Sequence, residues 1–172
     1  MNLDTRPLLA TKTEIYVRPS SLAAGESICN FCFMAAQSVP CPHAPKVERC
    51  GHFVPALAFV DATGLDGSFS TYRGSSIWYD RSRVLYRSHR RVGLVNKDAK
   101  ILGYAELVDA HRSTFAQLMR DHAETNHLVR DLGLKGEEAA AWLTKWIKTN
   151  MGSRYVTNPE AVGTVLYLKR VE

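Results

Sequence analysis

Apolar and polar residues follow two different periods along this chain, and the change of period separates strands from helices. Five segments are either apolar throughout or alternate in polarity, as strands do: residues 13–17, 53–60, 92–96, 101–110 and 162–171. The third and fourth of these flank a Lys97-Asp98 turn, which predicts a β-hairpin. Glu106 is expected to face outward from the hairpin's second strand.

Two helices are predicted between the hairpin and the last strand. The first opens at Thr114, and Gln117 three residues later completes the pattern of a capping box. Its apolar positions recur at helical spacing and are Phe115, Leu118 and Met119, with His122 on the same face. The second helix is predicted over residues 136–150 and ends at Gly152. It is expected to bury Trp142, Leu143, Trp146 and Ile147.

Length and composition favour an intracellular, cytoplasmic protein without a membrane span. The chain has 172 residues, 45% of them hydrophobic, which suits one domain with an appendage. No segment approaches the roughly 20 consecutive apolar residues of a membrane span, and the first 12 residues lack the apolar centre of a signal peptide. The net charge of +5 favours an anionic partner.

All four cysteines of the chain fall within 22 consecutive residues, as Cys29-x2-Cys32-x8-Cys41-x8-Cys50. A Cys-x2-Cys pair on a tight turn presents two thiolates to one ion, and a second pair from a nearby loop completes a tetrahedral shell. Three prolines in the intervening loop prevent a helix, so this segment gains order from cross-linking. The spacing therefore predicts a structural zinc site with these four ligands.

Two alternatives stay open for the cysteine segment. His43 and His52 each follow a cysteine by two residues and are competent ligands in place of Cys41. Without zinc, the cysteines would be buried free thiols or two disulfides, and the absence of a secretion signal argues against disulfides.

Positive charge is concentrated in one stretch of the chain that also carries aromatic residues. Between residues 73 and 91 the only acid is Asp80, and the arginines are Arg73, Arg81, Arg83, Arg87, Arg90 and Arg91. The aromatic residues in or beside this stretch are Tyr72, Trp78, Tyr79 and Tyr86. Guanidinium groups contact phosphates and aromatic faces stack on unpaired bases, so the mixture favours single-stranded or looped nucleic acid. The alternative is a solvated arginine face with the aromatic rings turned inward.

The order of these parts resembles an ASCH domain, a family with a PUA-like β-barrel that is associated with RNA. Three segments carry the likeness: Asp66-Gly-Ser-Phe-Ser-Thr-Tyr-Arg73, the hairpin ending Gly103-Tyr-Ala-Glu-Leu-Val108, and Thr114-Phe-Ala-Gln-Leu-Met-Arg-Asp-His-Ala-Glu-Thr-Asn-His127. It implies an α+β fold, a PUA-like barrel with two flanking helices, over about residues 53–172. The remainder is then an N-terminal arm and strand at residues 1–28 and the cysteine-rich zinc-binding segment at residues 29–52.

The resemblance also carries an expectation about catalysis. The family motif is Gly-x-Lys-x-x-Thr-x-Arg, and in its acetylcytidine amidohydrolases the lysine activates the threonine while a later glutamate handles protons. Thr71 and Arg73 match this motif, but Asp66 takes the glycine position, Ser68 the lysine position and Asn126 the glutamate position. A threonine hydroxyl needs an adjacent base, and neither replacement is basic at neutral pH. We therefore expect no amidohydrolase of the known mechanism and assign no catalytic residue.

Three side chains are alternative bases. His122 and His127 bracket Asn126, and Glu124 lies between them, which leaves another hydrolytic or nucleolytic chemistry open. His122, however, shares the apolar face of the first helix, where a histidine is more often a hydrogen-bonded core residue.

The leading functional prediction is a module without enzymatic activity that binds RNA or a modified nucleotide. Its pocket would be the barrel cleft, and its contact residues are Thr71, Tyr72, Arg73, Trp78, Arg81, Arg87, Arg90, Arg91 and Asn126. One alternative is a hydrolase acting on nucleosides or RNA with changed catalytic residues. The other is an assembly subunit whose arm and zinc segment bind a partner protein.

Overall fold

The structure is a computed structural model that describes residue 32 and residues 56–76, 78–80, 82, 91–98, 100–152 and 158–171. The predicted strand at residues 13–17 lies outside these residues, as do Cys29, Cys41 and Cys50. Cys32 is described and is buried.

Five strands and two α-helices have described bounds, and residues 78–80 and 82 are also helical. In order they are β1 (Ala56–Phe59), β2 (Ser68–Arg73), β3 (Arg91–Asn96), β4 (Ile101–Thr114), α1 (Phe115–His122), α2 (Gly136–Met151) and β5 (Val162–Val171). Two 3-10 turns, Ala123–Thr125 and Arg130–Leu132, connect the helices. Neither helix has the length and apolar composition needed to cross a membrane.

The strands hydrogen-bond in the order β1-β3-β4-β5-β2 and form a mixed sheet. β1 pairs with β3 in parallel, whereas β3 pairs with β4 and β2 with β5 in antiparallel fashion. The α+β prediction and the hairpin are therefore confirmed. Among the described residues β1 and β2 are edge strands, so this sheet is open and not closed into the expected barrel.

The chain divides into two compact units. One contains β1, β3 and β4 as far as Leu107, and the other contains residues 61–80 and 108–170. The second unit therefore holds β2, both helices and nearly all of β5. Every candidate nucleic-acid contact that has a described side chain lies in this second unit, whereas Cys32, a candidate zinc ligand, lies in the first.

The core of the second unit forms where the helices pack against the sheet. Leu118 of α1 and Leu143 and Ile147 of α2 are at most 2% exposed, as amphipathic spacing predicts. Trp142 and Trp146 were expected in the same core, but they are only half-buried and pack against its edge. Each tryptophan precedes a buried leucine or isoleucine by one residue and so lies about 100° round the helix from the buried stripe.

Thr114 caps α1 as the sequence predicts. Its hydroxyl Oγ1 accepts a hydrogen bond from the backbone N–H of Gln117 at 3.3 Å. The reciprocal half of a capping box is absent, because the Gln117 side chain bonds to Asp121 and Arg120 instead. Loop residues complete the end of the helix, since Phe115 and Ala116 donate their N–H groups to the carbonyls of Ala161 and Pro159 at 2.7 and 3.0 Å.

Strand β2, which carries Thr71 and Arg73, was not predicted from the sequence pattern. Four successive residues of β2, Phe69, Ser70, Thr71 and Tyr72, are buried, although two of them are polar. Small hydroxyl residues at buried positions remove the alternation by which a half-buried strand is recognised. β2 is identified only by its pairing with β5, from Ser68↔Lys169 to Arg73↔Thr164.

Candidate functional site

β2 separates two groups of side chains because successive residues of a strand point to opposite faces. Phe69, Thr71 and Arg73 share one face, and Ser70 and Tyr72 share the other. We call the first of these the motif face, after the threonine and arginine that it carries.

Tyr72 lies in the core and not at the candidate site. Its ring stands edge-on to that of Phe115, with centroids 5.4 Å apart, and the residue is 7% exposed. Tyr72 was predicted as a nucleic-acid contact, and in this structure its ring is packed in the core cluster. The alternation of the strand places it among the helix side chains.

Arg73 places a positive charge inside the protein. Part of the residue is exposed, but the guanidinium nitrogens Nε and Nη2 are out of contact with solvent. Burial lowers the pKa of Arg73 to about 10, because the charged form loses hydration. The guanidinium carbon lies 5.5 Å from the ring centroid of Trp78, within cation–π range. Arg73 and Trp78 thus combine a desolvated cation with an aromatic ring.

His127 adds a neutral imidazole beside the motif face. Its Nδ1 lies 2.7 Å from the carbonyl oxygen of Thr63, which can only accept, so Nδ1 carries the ring proton and donates it. Burial lowers the pKa of His127 to about 4, and the charge of Arg73 acts in the same direction. The ring also stands edge-on to Phe69 at 6.2 Å between centroids. His127 therefore lies on the same side of β2 as Thr71.

Asn126 follows the 3-10 turn Ala123–Thr125 and connects this turn to β2. Its Oδ1 accepts from the N–H of Leu128 at 3.1 Å, and a β-bridge joins it to Ser70. The neighbouring His127 N–H donates to the Ser70 carbonyl at 2.9 Å. At 4% exposed, Asn126 is close to β2 as predicted, but its side-chain oxygen is used by a turn.

Arg130 holds the loop before β2 in place, a role that sequence analysis missed. Its Nη1 donates to the carbonyl oxygens of Asp66 and Ser68 at 2.6 and 2.7 Å, and its Nη2 pairs with the Asp66 carboxylate. Asp66 and Ser68, the replaced motif positions, are both exposed. Because these partners are more than 60 residues away in the chain, no local pattern indicates the contact.

The other two alternative bases lie elsewhere. His122 Nδ1 is 2.8 Å from the hydroxyl of Tyr167, whose β5 partner is Ser70 on the face of β2 opposite the motif face. Glu124 accepts from the N–H of Gly136 at 2.6 Å and pairs with Lys135 at 3.3 Å. Only His127 lies on the motif face.

Several predicted contacts lie outside the described residues. These are Arg81, Arg87 and Arg90, together with the alternative zinc ligands His43 and His52. Arg91 begins β3, and only its backbone is described. Within the described part of the chain, no group of three or more histidine, cysteine or acidic side chains is arranged to hold a metal ion.

Comparison of the chain with protein-family models, curated proteins and solved structures gives no significant match. The interpretation of the site therefore depends on its own geometry.

Proposed function

We propose that the protein binds RNA or a modified nucleotide at the motif face of β2. The observation that supports this most directly is the buried guanidinium of Arg73 next to Trp78. A guanidinium attracts a phosphate and donates charge-assisted hydrogen bonds to it, and the partial loss of hydration strengthens such a contact. The indole of Trp78 offers a surface on which a base can stack.

The proposal includes the finer features that the resemblance implies. The proposed fold type is that of a PUA-like ASCH domain. A structural zinc ion is bound by Cys29, Cys32, Cys41 and Cys50. Four thiolates fill the tetrahedral shell of a structural zinc ion, and Cys32, the one of the four that the structure describes, is buried. Arg81, Arg87, Arg90 and Arg91 supply the remaining phosphate contacts.

His127 supports a second candidate function, hydrolysis of a nucleoside or RNA. A neutral imidazole whose Nδ1–H is fixed by a carbonyl leaves Nε2 as its basic nitrogen, the arrangement used to activate a hydroxyl. Thr71 is the hydroxyl residue on the same face, and it is 4% exposed. Turnover of acetylcytidine that is lost in both Thr71→Ala and His127→Gln would favour this function over binding alone.

Titration of fluorescently labelled single-stranded RNA, followed by anisotropy, tests the binding proposal. Trp78→Ala should weaken binding by about 1–3 kcal/mol, the usual value of one stacked base. Arg73→Lys keeps the charge but loses the planar fork, so it should also weaken binding. Lys145→Ala is the control, because it removes a charge from an exposed position of α2. Equal affinities for all four proteins would contradict the proposal, and no binding at low salt would favour the assembly-subunit alternative.

A further inference from the structure

A cavity of about 400 Å³ lies where the end of β4 meets α1, away from the motif face. No residue of β2 lines it. The residues that line it belong to the end of β4 and to α1, together with Tyr79. The volume is within the range of roughly 300–1,000 Å³ that is common for small-ligand sites.

Flat rings form much of the wall of this cavity. The imidazoles of His111 and His122 are partly stacked, with centroids 4.8 Å apart and planes inclined by 33°. Both stand edge-on to Tyr167. Tyr79 and Arg112 also line the cavity, and the guanidinium carbon of Arg112 lies 4.9 Å from the ring centroid of Tyr79. A stack of two rings at a cavity wall can be extended by a third planar ring.

His122 is held in position by a chain of hydroxyl groups. Its Nδ1 is 2.8 Å from the Tyr167 hydroxyl, which is 3.2 Å from Oγ1 of Thr125, and that oxygen is 2.8 Å from Oγ of Ser70. Because Nδ1 is engaged, Nε2 is the nitrogen that remains for a ligand. Burial, and then the neighbouring His111, lower the pKa of His122, so the ring is neutral at neutral pH and can form an uncharged hydrogen bond.

The charges around the cavity do not favour an anion in its interior. Asp121 lines it, and Asp109 pairs with His111 at 3.1 Å. The backbone N–H groups at the start of α1 are also used, since Phe115 and Ala116 donate to loop carbonyls. The arginine of the lining is Arg112, which is 47% exposed and lies 3.8 Å from the exposed carboxylate of Asp80. At this rim position a phosphate can take the place of that carboxylate.

We propose that this cavity binds one unpaired nucleobase, supplied either by an RNA strand or by a free nucleoside. The base extends the His111–His122 stack, and its polar edge meets Nε2 of His122 and the carboxylate of Asp121. Arg112 contacts the attached phosphate. The inference extends the proposed RNA-binding function, because it adds a base-reading site separate from the motif face.

The test is an NMR titration of the histidine ring signals with adenosine, guanosine, cytidine and uridine. Ring signals of His111 and His122 should shift saturably with at least one nucleoside. His111→Ala should weaken that binding by about 5- to 150-fold, the range for loss of one base–aromatic stack. His111 is exposed, so its removal should leave the fold intact. Asp121→Asn should change the preference among the four bases, and Lys145→Ala should change nothing.

Two results would overturn the inference: no shift at millimolar nucleoside, or shifts that persist unchanged in both His111→Ala and Asp121→Asn. An RNA titration separates this outcome from failure of the proposed function. RNA binding that requires Trp78 but not His111 would support binding at the motif face and contradict base binding in the cavity. Nucleoside binding in the cavity without any RNA binding would support the cavity site and contradict RNA binding at the motif face.

Discussion

Gly64 shows how strictly single residues are fixed around the motif face. It has a φ of +67°, and a Cβ there would lie 1.9 Å from the carbonyl oxygen of His127. The loop whose Thr63 carbonyl accepts the hydrogen bond from His127 therefore packs too closely for a side chain at position 64. Arg130 fixes the same loop from the other side through Asp66 and Ser68.

Replacing Gly64 with alanine should strongly destabilise the protein. The left-handed backbone alone costs an alanine about 1–2 kcal/mol, and the clash with backbone atoms should raise the total above about 3 kcal/mol. Gly133→Ala is the matched control, with a φ of +70° but no atom within 4 Å of the new Cβ. Urea denaturation measures both. Equal losses of unfolding free energy would show that the close approach to His127 is absent.

His127 should make stability depend on pH. Its pKa is about 4 in the folded protein and 6.5 ordinarily. Between these values the unfolded chain binds the proton and the folded protein does not, so the free energy of unfolding falls as pH decreases. The full loss is about 3 kcal/mol below pH 4. His127→Gln, which cannot titrate, should show a shallower decline.

Direct NMR titration of the His127 ring checks the same claim independently of other groups. The ring should stay neutral down to about pH 4. A midpoint near 6.5 would place His127 in water and remove it from the motif face.

At the scale of elements, sequence patterns predict those parts whose signals are local. Thr114 caps α1 as its sequence predicts, and the Lys97-Asp98 turn joins β3 to β4. β2 is not predicted from its local pattern, because Ser70 and Thr71 are polar and yet are buried by residues from distant segments. Some residues of the candidate site are indicated by the sequence and others are not. Thr71 and Arg73 belong to a sequence motif, whereas the contact of Arg130 with Asp66 and the His111–His122 stack depend on the fold that brings these residues together.

The cysteine segment gives the prediction that belongs to this scale. Purified protein should contain one zinc ion per chain, and Cys41→Ser should lose it while His52→Ala retains it, because four thiolates make a closed site. Elemental analysis of the three proteins measures this. Metal-free but folded protein would contradict the site, and zinc retained in Cys41→Ser but lost in His52→Ala would replace Cys41 with His52.

The whole molecule is basic, with a net charge of +5, and we propose that it binds single-stranded RNA through the arginine-rich stretch between residues 73 and 91. Five arginines belong to the proposed contact: Arg73, Arg81, Arg87, Arg90 and Arg91. Each phosphate neutralised on a single strand releases counterions and contributes roughly −0.7 to the slope of log K against log salt.

The most direct measurement is the affinity for a short single-stranded RNA at several salt concentrations, for the unmodified protein and for Arg73→Ala. We expect log K to fall with log salt at a slope of roughly −3 to −4, and Arg73→Ala to make that slope shallower by about 0.7. Binding that is absent at low salt, or that shows no salt dependence, would contradict RNA binding through these arginines.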